Sequence, residues 1–154
     1  MTAKRLARFT LAAALSAALA ACSGMGGGGL SSGLTARMDQ SGAQLNRAEA
    51  IGIINHYRST VGVRPLTEDP ALTAMAATLA TSYARTGRQP AKPEGATEVR
   101  YSAGYATFAD TFSGWRNSGQ ETQVMSGGQV SRAGIAAVYS ENSPYGVYWV
   151  VVVA

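Results

Sequence analysis

Apolar positions keep a helical spacing through the middle of the chain and collapse into strand-like runs at its end. Ile51, Ile54, Tyr57 and Val61, with Ile53, recur at helical intervals, and no proline interrupts residues 44–60. The Val61-Gly62-Val63-Arg64-Pro65 segment ends that helix. A second one is predicted to start at Asp69-Pro70, because Asp accepts from free N–H groups and Pro fits the first helical position. Leu72, Met75, Ala76, Leu79 and Tyr83 then form one apolar stripe, and Gly87 stands where a left-handed C-cap is needed. Residues 88–97, interrupted by Pro90 and Pro93, read as a loop, with a short extended piece at Val99–Ser102. Residues 107–117 predict a third helix with Phe108, Phe112 and Trp115 on one face, and Gly127-Gly128 marks the next break. Two β-rich runs, Ala133–Tyr139 and Gly146–Val153, flank a Ser140-to-Tyr145 turn cluster and predict an antiparallel hairpin. Residues 147–153 are apolar at every position, which marks a central strand covered on both faces. Helices first and a hairpin last give an α+β layered domain.

Length and charge narrow the class. A chain of 154 residues fits one domain, the usual size being about 100–200. With 46% hydrophobic and 14% charged residues it is no disordered tail. The formal charge of +4 comes from thirteen Lys/Arg against nine Asp/Glu, but Lys4, Arg5 and Arg8 lie at the extreme N-terminus. Without them ten bases face nine acids, and no basic run follows. A phosphate-binding face needs clustered cations, so no nucleic-acid partner is expected.

Those N-terminal bases precede Phe9–Ala21, thirteen apolar or small residues broken only by Thr10 and Ser16. Such a helix reaches about 20 Å, short of a ~30 Å hydrocarbon core, so residues 1–21 read as a signal peptide. Leu19-Ala20-Ala21-Cys22 resembles the lipobox of bacterial lipoproteins. That likeness implies that Cys22 is lipidated and becomes the first mature residue. Cys22 is the only cysteine, so no disulfide is available, and lipidation accounts for the unpaired thiol. The alternative is an ordinary cut after Ala18-Leu19-Ala20, which leaves an exposed free thiol. Ser23, where an Asp would imply inner-membrane retention, points to the outer membrane. Residues 22–42 then form a Gly/Ser-rich tether with a reach of roughly 25 Å, and residues 43–154 the folded domain. Gly26 to Gly29 lack the Lys-Ser/Thr of a phosphate-binding loop.

Several segments share one order: Asn55-His56-Tyr57-Arg58, Gly62 to Leu66, Asp69 to Leu72, Trp115 to Ser118, Ala133 to Ala136 and Tyr148 to Val150. Together they resemble the CAP superfamily (cysteine-rich secretory, antigen 5 and pathogenesis-related 1 proteins) in its bacterial SCP-domain branch, over about residues 45–154. The resemblance implies an α-β-α sandwich. It also implies a cleft whose two His and two acidic residues hold a divalent cation. This chain departs from that set. Gln120 stands where one His belongs, no His occurs in residues 84–98, and the acidic position falls on Val99 or, with a one-residue slip, on Glu98.

One histidine cannot build a two-His site. No catalytic residue, metal or cofactor is therefore expected, and no Gly-x-Ser-x-Gly, His-Glu-x-x-His or Cys–His motif supplies another. The candidate cleft residues are Gln120, Glu121, Glu98, His56 and Trp115. Glu121 is either a substitute carboxylate or an exposed turn acid. His56 is read as a partly buried helix residue beside Tyr57, against a lone base or ligand. Trp115 and Tyr148/Trp149 are read as core, against a ligand platform. The expected protein is a non-catalytic, lipid-anchored binding or interaction module on the periplasmic face of the outer membrane. Its partner would be a small hydrophobic ligand such as a lipid, or an envelope protein. The alternatives are a structural protein docking onto cell wall or other lipoproteins, and a hydrolase with an unrecognised site.

Overall fold

A computed structural model of the protein describes residues 29–119 and 125–154. Its elements run α1 (Ser32–Thr35), α2 (Arg47–Thr60), β1 (Thr67–Glu68), α3 (Pro70–Thr86), β2 (Glu98–Ala103), α4 (Phe108–Asn117), β3 (Arg132–Tyr139) and β4 (Val147–Val153). The sheet order is β1-β3-β4-β2. β4 pairs antiparallel with both neighbours, opposing Ala133 to Val153 on β3 and Val99 to Val152 on β2, while β1 adds to β3 in parallel.

All seven residues of β4 are buried. Alternation along the strand sends Val147, Trp149, Val151 and Val153 into a core shared with α2 and α4. Val150 and Val152 enter a second core, against Leu72, Ala76, Leu79 and Ala80 of α3. Helices therefore cover both faces of the sheet, which is an α-β-α sandwich ending in an antiparallel hairpin. The central position expected for residues 147–153 follows directly from that two-sided burial.

Local chemistry starts each helix where the sequence signals it. Asp69 accepts from the N–H groups of Ala71 at 2.8 Å and Leu72 at 3.1 Å, Pro70 follows, and Gly87 closes α3 in the left-handed region at φ 66°. The Leu72 N–H, and then Arg132 at 2.7 Å, hold the Asp69 carboxyl below the usual carboxylate range. Thr107 caps α4 by accepting from the Asp110 N–H, and donates its own hydroxyl to the Asp110 carboxylate at 2.7 Å. Asn46 caps α2 through the Glu49 N–H. α3 approaches β3 so closely that a Cβ on Gly134 would overlap the backbone of Leu72 and Thr73.

Three features depart from the pattern read in sequence. The stretch read as tether is ordered in its second half: Leu34 and Met38 are buried with α2 and α4, and the Met38 N–H donates to Ala106 at 2.7 Å. Two apolar residues four apart are enough to dock a segment whose composition otherwise reads as linker. The stripe on α2 ends in Arg58, fully buried, whereas Val61 is 45% exposed. β1 is only two residues long, too short for any periodicity to reveal. The signal-peptide and lipobox readings, with Cys22, lie outside the described residues, as do Gln120 and Glu121. Among the described residues no helix is long and apolar enough to cross a membrane.

Gly134→Ala forces a side chain into the α3 backbone and should destabilise the domain by about 3 kcal/mol in urea unfolding. A loss under about 1 kcal/mol would contradict the close packing of α3 on β3.

Candidate functional site

The most strongly built polar arrangement lies at the C-terminal end of α2. Ile51, Ile54 and Arg58 share one helical stripe, so the guanidinium points inward with the isoleucines. Its Nε donates to the Arg64 carbonyl at 2.7 Å, Nη1 to that of Met125, and Nη2 to those of Gly127 at 3.1 Å and Val130 at 3.2 Å. Asn55 works beside it, donating to the Leu66 carbonyl at 2.9 Å and accepting from the Leu66 N–H at 2.7 Å. Together the two side chains fasten the Gly62-to-Leu66 turn and the approach to β3 onto α2. Desolvation, and then the charge of Arg64, lower the Arg58 pKa from its ordinary value. An arginine nonetheless stays cationic at neutral pH. With carbonyl oxygens as acceptors the group is an anchor for loop backbone, with no acid or base function.

Of the candidate cleft residues, His56, Glu98 and Trp115 lie among the described residues. His56 is exposed on the outer side of α2, two residues from Arg58. The expectation of a partly buried histidine is corrected here: the helix turns Ile54 and Arg58 inward, which sends His56 to solvent. Glu98 is exposed as the first residue of β2, while Val99 packs in the α3 core. Alternation puts Glu98 and Arg100 on the opposite face from Val99; burial lowers the Arg100 pKa, and the Glu98 charge offsets part of that lowering. Trp115 is 1% exposed and sits edge-on to Phe108 at 6.0 Å. Its indole N–H donates to the Tyr101 carbonyl at 3.3 Å, tying α4 to β2. Trp149 is likewise buried, its indole N–H donating to the Tyr105 carbonyl at 2.9 Å. No hydrogen bond, ion pair or ring contact joins His56, Glu98 and Trp115. Among the described residues no group of three or more His, Cys, Asp or Glu is placed to hold a metal ion.

The Asn55–Arg58 clamp, the two-faced sheet and the hairpin coincide with a family profile: that of the cysteine-rich secretory protein (CAP) family matches residues 51–153, more than half of the chain. The chain belongs to this family. No curated protein sequence matches it. Among solved structures, this CAP domain is similar to an outer surface protein from Borrelia burgdorferi. The TM-score is 0.58 at 14% identity, over 72% of this chain and 96% of that one. It is also similar to MpPR-1i, with a TM-score of 0.57 at 15% identity, over 70% of this chain and 84% of that one. An extracellular SCP-domain protein from Bacillus anthracis gives a TM-score of 0.57 at 14% identity, over 69% of this chain and 39% of that longer one. At such identities the likeness is one of fold.

The buried arginine is the residue that sequence reasoning left without a role. The signal was present, since positions 51, 54 and 58 lie on one stripe, but a charged residue there reads by default as solvated. Arg58→Met would remove the fork and strand several buried carbonyls, lowering stability by about 3–5 kcal/mol. His56→Ala should stay within about 0.5 kcal/mol of the parent. Denaturant unfolding of the two variants checks both, and the reverse ranking would contradict the placement of these side chains.

Proposed function

We propose that the protein is a lipid-anchored CAP-domain protein of the bacterial envelope, acting as a binding or interaction module without catalysis. The observation that carries the non-catalytic part is that the only histidine of the chain stands exposed on α2. A pair of imidazoles cannot be assembled from it, and neighbouring Arg58 is committed to backbone carbonyls. The anchored part rests on the Leu19-to-Cys22 lipobox and the solitary thiol. An outer surface protein and an extracellular protein among the structural relatives accord with export. Ser23 favours the periplasmic face of the outer membrane. The bound partner is a small hydrophobic ligand, such as a lipid, or an envelope protein.

Two measurements test this reading. Cys22→Ser should move the protein from the membrane pellet to the soluble fraction, and continued sedimentation with membranes would remove the anchor. Calorimetric titration of the mature domain with Zn²⁺ should show no stoichiometric tight site, because the ligand pair of such a site is missing. Sub-micromolar one-to-one binding would reverse the non-catalytic assignment.

A further inference from the structure

Resting on the lipid anchor at Cys22, we propose that residues 31–38 form a clamp that sets how far the domain reaches from the membrane. Cys22 to Ser31 is nine peptide links, which cannot exceed about 30 Å in any conformation. With the clamp undocked, the next residue packed on the core is Ala43, twenty-one links from Cys22. The limit then rises to about 70 Å.

The contacts that make this difference are specific. The Asn46 side-chain amide holds one Glu49 carboxylate oxygen at 2.9 Å, and the other receives the Ser31 hydroxyl. Gly33 passes close to that carboxylate, the movable end of the Glu49 side chain. Leu34, 6% exposed, and Met38, 4% exposed, are buried in the core shared by α2 and α4. The Met38 N–H on Ala106 closes the segment.

A domain of this size is roughly 35 Å across. Docked, the clamp keeps its point of attachment within less than one domain diameter of the bilayer. It enters on the α2–α4 side of the sheet, leaving α3 on the opposite side.

The test uses the full-length, lipid-modified protein carrying Thr78→Cys on the exposed side of α3. The new thiol is labelled with a donor fluorophore. The protein is reconstituted into phosphatidylcholine/phosphatidylglycerol vesicles with acceptor-labelled headgroups. Leu34→Asp with Met38→Asp, and separately Leu34→Asp alone, undock the clamp by placing a carboxylate in the apolar core, with circular dichroism reporting the fold. Energy transfer should fall at least two-fold in the undocked proteins while they stay folded and sediment with vesicles. If the double variant does not fold, Leu34→Asp alone decides. Unchanged transfer in a folded, vesicle-bound variant would overturn the clamp and leave the anchor intact. Parent protein left in the supernatant would overturn the anchor, and the clamp with it.

Discussion

Seven consecutive apolar residues in one strand demand cover on both faces, and the remaining elements are arranged to provide it. One face of β4 receives Trp149 and three valines into the core with α2 and α4, and the other packs Val150 and Val152 against α3. Each fully buried valine contributes roughly 1.5–3 kcal/mol relative to exposure, so exposing either face would remove much of the stability of so small a domain. The helical layers are thus a consequence of the last strand. Gly134 lets α3 come close enough to seal its side, and the α4 indole donating to Tyr101 secures the edge of β2 on the other.

Arg58 solves a separate difficulty. The connections between α2 and β1 and into β3 carry backbone carbonyls that face the interior, and an unpaired buried carbonyl is destabilising by about 1–3 kcal/mol. One guanidinium, with donors fixed in a planar fork, satisfies four of them at once. Lysine could not match that geometry. The arrangement also explains why a cation is tolerated in a core: its acceptors converge from several segments, and its charge strengthens each bond.

Much of this was legible in sequence because the signals were local. Asp69-Pro70, the 72-to-83 stripe and Gly87 delimit α3, and the all-apolar 147–153 run identifies the central strand. What stayed hidden depends on contacts distant in sequence. Leu34 and Met38 dock only because α2 and α4 leave them a slot, so a composition-based reading takes them as linker. Arg58 reads as solvated until the loops that need it are in place. His56 lies at the helix position next to Tyr57 that helical geometry turns outward, and only the observed stripe of Ile51, Ile54 and Arg58 fixes the phase. For the candidate site, a histidine count of one ruled out the two-His pair before any geometry, whereas the exposure of His56 and Glu98 and the burial of Trp115 required the fold.

The CAP scaffold here carries loop anchors at Asn55 and Arg58, and an ordered segment at residues 31–38 packs against the core shared by α2 and α4. The functional account depends most on what Cys22 becomes. Intact-mass spectrometry of the protein extracted from its native membrane addresses that directly. The account predicts a polypeptide beginning at Cys22 and heavier than its sequence by the mass of attached acyl chains. An unmodified polypeptide, or one beginning at another residue, would contradict it.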